Sequence, residues 1–298
     1  MYKGQSKENV KKVRKAILPV AGFGTRLLPA TKAQPKEMLP VVDKPAIQYL
    51  VEEAVEAGIE EIIFVTGRGK RAIEDHFDYS FELEYNLVEK NKHHLLKEIR
   101  KISNMAKFSY VRQPMPLGDG HAVACASHIV GDEPVLIMFG DSLYSADVAP
   151  AKQLIKVYEK YGDPVVGLSR INWDEVEKFG VIEGVDLKNR TYEIRRIIEK
   201  PKRKKAPSNL AAVGKYVITP EVFEVLQAMT KGKSGEIRLA DAFEIMLKNN
   251  RPLYGCEIRG EWLDTGDKFN FLKATLVMGL KHPEVKGKLR SYLKKLRL

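Results

Sequence analysis

The chain has 298 residues, 44% of them hydrophobic and 30% charged, enough for a sizeable core in one large or two closely joined domains. Its formal net charge is +11, from 50 Lys and Arg against 39 Asp and Glu. Residues 1–15 and 281–298 together carry that whole excess and residues 16–280 are formally neutral, which argues against a basic nucleic-acid face spread over the fold.

The opening residues are too polar for a signal peptide, and no uncharged apolar stretch is long enough to span a bilayer. Cys125 and Cys256 have no metal-like spacing, and Cys125 lies in an apolar run that suits core packing. These features predict a cytoplasmic protein with no membrane and no nucleic-acid partner; a nucleic-acid-binding module using the basic ends is the alternative from another class.

In chain order, residues 15–20 (KAILPV) read as a short apolar strand that runs into a glycine-containing loop. A helix follows over 43–58, with Asp43 as its cap, Pro45 in its first turn and Gly58 at its end. Ile47, Leu50, Val51, Ala54 and Val55 share one face of it. Residues 60–67 form a buried strand and 70–77 a helix. The pattern repeats with a strand at 108–114, a helix at 120–130 and a single strand over 133–144 that carries Asp141. This alternation predicts parallel strands with helical crossovers, and ligands beyond the strands' carboxyl ends.

From about 163 to 219 the chain turns strand-rich. The basic run 200–205 reads as a loop. Helices are expected near 220–230 and 236–249, then a strand at 252–260 leading to EWLDTGD. The remainder, 267–298, is largely helical, with Leu289, Tyr292, Leu293 and Leu296 at stripe spacing. The predicted fold is α/β: a Rossmann-like mixed, mainly parallel central sheet flanked by helices, with a smaller strand-rich part and a C-terminal helical segment.

The loop at 19–40, PVAGFGTRLLPATKAQPKEMLP, carries the chemistry. Gly22 and Gly24 fit the first two places of a dinucleotide fingerprint, but Leu27 occupies the third, where only glycine lets helix and strand approach. Asp43, at the right distance to hold a ribose, opens a helix instead. No Gly-Lys-Ser/Thr follows, so a P-loop fails as well. What survives is an anion cradle. The glycines free backbone N–H groups, Arg26 adds a planar fork, and Lys36 adds a point charge. Three prolines stiffen this long loop, which suits a site more than a connection.

AGFGTR…PKEMLPVVDKP resembles the signature of the sugar-nucleotide pyrophosphorylases, and HFDYSFELE (76–84) with PKEMLP narrows this to the bacterial UTP–glucose-1-phosphate uridylyltransferases. RQPMPLGDGHAV, EKPK, VGKYV and WLDTGD extend the likeness across about Lys15 to Leu280. The resemblance implies one catalytic domain over 1–280, with a nucleotide-binding half at about 15–150 and a sugar-phosphate half at about 151–270. A basic amphipathic helix at 281–298 would make oligomer contacts.

The same resemblance implies UTP and glucose 1-phosphate as substrates, Mg²⁺ as cofactor, and a homodimer or homotetramer. It assigns Arg26, Lys36 and Lys200 to catalysis, and Ala21, Gly22, Gly24, Thr25, Arg26, Lys36, Glu37, Gln113 and Gly118 to the nucleotide. Gln113 can both donate and accept, as a pyrimidine edge requires. Gly180, Glu199, Lys200, Val213 and Gly214 are assigned to the sugar phosphate, and Asp141 with Asp264 to the metal. Mg²⁺ suits a few hard carboxylates completed by substrate oxygens and water.

None of the six histidines lies in a His-x-His arrangement, so direct displacement without a covalent intermediate is expected. Where many of these uridylyltransferases carry Leu-Pro before the metal aspartate, this chain carries Phe139–Gly140. At that point it resembles the thymidylyltransferases, so another triphosphate, dTTP foremost, is the alternative substrate.

Overall fold

The computed structural model describes residues 10–230 and 235–296. Most of the basic stretch at 1–15 and the last two residues of the chain lie outside the described residues.

The strands are β1 (Lys15–Pro19), β2 (Pro40–Val41), β3 (Lys44–Pro45), β4 (Glu61–Thr66), β5 (Lys107–Arg112), β6 (Val135–Met138) and β7 (Ser142–Ser145). They continue with β8 (Val165–Arg170), β9 (Gly180–Asp186), β10 (Thr191–Glu199), β11 (Leu210–Ile218), β12 (Tyr254–Glu257) and β13 (Glu261–Asp264). The helices are α1 (Ala46–Glu56), α2 (Arg71–Phe77), α3 (Phe81–Glu89), α4 (His93–Ser103), α5 (Asp119–Cys125) and α6 (Ser127–Val130). Then come α7 (Pro150–Tyr161), α8 (Pro220–Ala228), α9 (Leu239–Lys248), α10 (Lys268–Gly279) and α11 (Lys286–Lys295).

Among the described residues, nine strands form one sheet in the order β5-β4-β1-β6-β11-β8-β12-β10-β9. The first four are parallel, in a register that sets Ile17 beside both Ile63 and Ile137. Beyond β6 the pairing is antiparallel except between β8 and β12. Alternate side chains of the parallel strands point to opposite faces. Leu18, Phe64 and Met138 pack with α1, α2 and α7. Ile17, Ile63 and Ile137 pack with α5, α8 and α9. With both faces covered, β1, β4 and β6 read as apolar runs, whereas the edge strand β5 is part-exposed. Each fully buried Leu, Ile or Phe among them contributes about 1.5–3 kcal/mol.

An ion pair ties the two halves of the chain together. Lys215 of β11 is wholly buried, and its ammonium lies 2.9 Å from the Glu53 carboxylate of α1. Glu53 also accepts from the Ala151 N–H at the start of α7, at 3.0 Å.

Three local expectations are corrected. Asp43 does not cap α1, because Pro40–Val41 and Lys44–Pro45 pair as a tiny ribbon that draws Asp43 into its turn. Asp43 instead meets His282 Nε2 at 3.0 Å. The strand expected over 133–144 is two strands in different sheets, broken at Phe139–Asp141. The helix expected over 120–130 is interrupted at Ala126.

In the C-terminal segment α11 has no buried residue. Tyr292 and Leu296 of the apolar stripe are exposed, while Leu289 and Leu293 are half-buried.

Candidate active site

Four loops leave the carboxyl ends of the parallel strands, and three of them line one cavity of about 260 Å³. Pro19 ends β1, Ala21 and Gly22 come from the loop after it, Gln113 follows the end of β5, and Phe139, Gly140 and Asp141 follow the end of β6. Lys36, Glu37, Pro116, Gly118, Asp119, Ala122 and Glu236 complete it. No helix follows β1 directly. Three short 3-10 turns, Thr25–Leu27, Ala30–Lys32 and Lys36–Met38, occupy the span instead, and Leu27 is buried in the protein. That is the physical reason the dinucleotide pattern fails here.

Gly24 and Thr25 line neither this cavity nor the one beside it. Gly24 has φ +66°, and a Cβ there would sit 3.1 Å from the Cβ of Lys36. Its carbonyl also accepts from the Thr31 hydroxyl at 2.8 Å. Gly24 therefore folds the loop back on itself so that Lys36 faces inward. Glu37 is fully buried and its carboxylate pairs with the equally buried Lys70 ammonium at 3.0 Å. A Cβ on Gly140 would lie 2.7 Å from Glu37 Cγ, so glycine before Asp141 leaves room for this pair.

A second cavity, of about 440 Å³, adjoins the first and shares Asp119, Phe139 and Asp141 with it. Gly180, Glu199, Lys200, Val213 and Gly214 line it, as do Arg26 and Asp264. Glu199 of β10 pairs with Gly180 of β9. A Cβ at Gly180 would approach the Glu199 carboxylate to 2.9 Å. Lys200, at φ +46°, turns the chain out of β10, and its ammonium lies 3.3 Å from Glu199. Gly214, at φ +69°, sits where the β11–β8 register shifts, and its carbonyl accepts from the Phe139 N–H at 2.8 Å.

The two aspartates meet through a ribbon that no local pattern announces. β13 pairs antiparallel with β7, setting Asp264 opposite Ser142. The Asp141 carbonyl accepts from the Thr265 N–H at 2.8 Å. Lys36 reaches the Asp141 carboxylate at 2.6 Å and Arg26 stands 3.8 Å from it.

Burial acts to raise the Asp141 carboxyl, but the Lys36 and Arg26 charges hold it below the usual range. Burial acts to lower Lys36, and the Asp141 and Glu37 charges outweigh that and hold it up. Asp264 is pushed up, first by burial and then by the negative charge of Asp141. Two hard carboxylates that repel each other at a cavity wall fit a divalent cation of the magnesium type. Among the described residues no third acidic, His or Cys group joins them, so the remaining ligands would come from substrate and water.

Several wall residues escaped the sequence reading: Asp119, Lys178, Tyr216, Arg238, Phe243 and Trp262. Asp119 accepts from the Gly120 N–H at 2.6 Å and the Leu239 N–H at 2.9 Å, joining the starts of α5 and α9. Its position after Gly118, opening an apolar helix, was the available signal. Tyr216, Phe243 and Trp262 lie on strands and a helix whose local patterns mark only core, while Lys178 ends a 3-10 turn and Arg238 stands just before α9, where a lone cation gives no local signal.

A family model described as nucleotidyl transferase matches residues 15–278. The UTP–glucose-1-phosphate uridylyltransferase YngB of Bacillus subtilis is 48% identical over 283 residues, covering 95% of each chain. The fold is similar to that of a UTP-bound UDP-glucose pyrophosphorylase from Acinetobacter baumannii, with TM-score 0.89, 38% identity, and 96% and 100% of the two chains covered. A UDP-glucose pyrophosphorylase complexed with UDP-glucose gives TM-score 0.82 at 41% identity, covering 91% of this chain and all of that one. The chain belongs to the nucleotidyl transferase family, in its group of UTP–glucose-1-phosphate uridylyltransferases.

Proposed function

We infer that the chain joins UTP and glucose 1-phosphate into UDP-glucose and releases pyrophosphate. The observation that carries this reading is Asp141, which lines both cavities at once with Lys36 and Arg26 against it. Two anionic substrates brought together need such a junction.

In this reading the base and ribose occupy the smaller cavity, against Ala21, Gly22, Glu37, Gln113 and Gly118. The sugar phosphate occupies the larger one, with Glu199 accepting from sugar hydroxyls and Lys200 drawing its phosphate toward the α-phosphate. Gly180, Val213 and Gly214 offer backbone contacts. A phosphate oxygen of glucose 1-phosphate forms a bond to the α-phosphorus. The bond from that phosphorus to the bridging oxygen breaks, and the electron pair leaves with pyrophosphate. Arg26 and Lys36 stabilise the leaving charge.

Asp141 and Asp264 would hold Mg²⁺, whose contribution when bound is neutralisation of phosphate charge. Among the described residues no His or Cys lines either cavity. The Ser142 hydroxyl is engaged, donating to the Val213 carbonyl and accepting from Trp262 Nε1 at 3.1 Å. This supports direct displacement.

Pyrophosphate release measured with UTP, dTTP, CTP and ATP against glucose, galactose and N-acetylglucosamine 1-phosphates tests the reading. UTP with glucose 1-phosphate should be fastest. Preference for dTTP, the second reading favoured by Phe139–Gly140, would replace the first.

We further propose a cytosolic homodimer or homotetramer. Both described cysteines are free thiols, and no described helix is long and apolar enough to cross a membrane. Phe81, Tyr85 and Val88 of α3 are exposed apolar residues of the kind that subunit contacts cover. Sedimentation as a monomer at micromolar concentration would contradict the assembly.

A further inference from the structure

His121 lines neither cavity, and the mechanism does not use it. It stands on α5 behind Gln113, in a chain of contacts that starts at the nucleotide cavity. The Gln113 side chain is nearly buried, and Nε2 makes both of its contacts: to the Gly118 carbonyl at 3.0 Å and to His121 Nδ1 at 3.1 Å. A carbonyl can only accept, so the amide nitrogen must face Gly118. With one amide hydrogen used there, the other meets Nδ1, which must then carry a lone pair. The His121 proton is thereby placed on Nε2, which faces Cys125 Sγ at 4.0 Å. Among the described residues no group donates to Gln113 Oε1, which leaves that oxygen for the cavity.

The Gly118 carbonyl is itself held. Ile237 N–H donates to the Leu117 carbonyl at 2.7 Å and accepts back, through its own carbonyl, from Gly120 N–H at 3.0 Å. Gly118 has φ +109°, and a Cβ there would come within 2.5 Å of the Ile237 carbonyl oxygen, so only glycine fits. Both partners of the amide nitrogen are thus fixed by backbone or helix.

We propose that His121 is a positioning residue for base selection, fixing the Gln113 amide so that its oxygen accepts the N3–H of a keto pyrimidine. This rests on the reading that Gln113 faces the base. Uracil and thymine both present a donor at N3. Cytosine at N3 and adenine at N1 present lone pairs, which would face the Gln113 oxygen as acceptor against acceptor. Burial raises the Cys125 thiol, so the sulfur stays protonated. The device admits UTP and dTTP alike and rejects CTP and ATP.

The test compares kcat/KM for UTP and CTP in three variants. His121→Leu frees one amide hydrogen and lets the amide turn; the UTP/CTP ratio should fall about tenfold or more. His121→Asn, whose amide oxygen can take the place of Nδ1, should hold the ratio within about threefold of the parent, a rescue that a mere packing role does not predict. Gln113→Leu should collapse the ratio outright. If Gln113→Leu leaves the ratio unchanged, the base is read elsewhere and both ideas fall. If it collapses the ratio while His121→Leu does not, the positioning role alone is overturned. Should His121→Leu fail to fold, long-range ¹H–¹⁵N NMR of the parent protein decides: the Nε2–H tautomer of His121 is expected, and the Nδ1–H tautomer overturns the proposal.

Discussion

The two cavities are built by different means. The smaller lies at the loop ends of the parallel strands, where Ala21, Gly22, Gly118 and Gly140 put little side chain in the way and Glu37 and Gln113 add polar side chains. The larger is walled mainly by side chains far apart in sequence, with Lys178, Lys200 and Arg238 among Phe179, Phe243 and Trp262. Backbone amides around glycines suit a ligand that is the same in every turnover. A wall of side chains can be changed one residue at a time, and in the reading proposed above it is this wall that would meet the sugar. Substrate choice on the sugar side should therefore shift with single substitutions more readily than the triphosphate binding mode.

The strongest test of this contrast is a residue common to both cavities. Asp141→Asn, and likewise Asp264→Asn, should cut turnover by about 1000-fold with circular dichroism unchanged, and Asp141→Asn should do so whichever substrate is limiting. Near-parental turnover with Mg²⁺ in either variant would remove the metal assignment.

Next in size is the buried pair. Lys215→Met leaves the Glu53 carboxylate without its partner and should cost about 3–5 kcal/mol in urea unfolding. Lys215→Met combined with Glu53→Met should cost less than the single change, because no uncompensated charge remains. Equal costs would mean that the loss is one of packing.

Lys200→Met should lower kcat/KM for glucose 1-phosphate by about 10–100-fold while the Kd for UTP measured calorimetrically stays put. A matching loss of UTP affinity would blur the division between the cavities.

The smallest effect is placed away from both. Burial, reinforced by Glu221, raises the Asp163 carboxyl from 3.8 to about 6. The folded protein holds that proton more tightly than the unfolded one, so this group's stabilising contribution is present below about pH 4 and is lost as pH rises through about 6. Asp163→Asn should be more stable than the parent at pH 7, the gap closing toward pH 4, with kinetics unaltered. A gap independent of pH would assign the effect to something other than titration.

The same contrast governs how far the sequence could be read. The loop 19–40 announces itself through glycine, proline and paired cations within one short span, and Lys36 and Glu37 do reach the smaller cavity. Gln113 and Gly118 follow a strand end, where ligand loops are expected. The meeting of Asp141 with Asp264 depends on the β7–β13 ribbon, whose partners stand more than a hundred residues apart. Resemblance could suggest that pairing; spacing could not. Asp43 misled because a good cap residue was captured by the β2–β3 ribbon, a tertiary choice that overrides local preference. Lys215 lies in an apolar strand pattern, and nothing short of the fold reveals that Glu53 waits beneath it.

β11 contributes a final consequence. This strand, from late in the chain, lies between β6 and β8 and supplies β6 with its partner on that side. A polypeptide ending near residue 150 would carry the whole parallel quartet yet present β6, with Val135, Leu136, Ile137 and Met138 all buried in the intact protein, as a bare apolar edge. Such edges recruit other chains. A severed amino-terminal piece should therefore clump rather than bind nucleotide, whereas the two pieces expressed together could mend the sheet. Splitting this molecule into a reporter pair would have to exploit that seam.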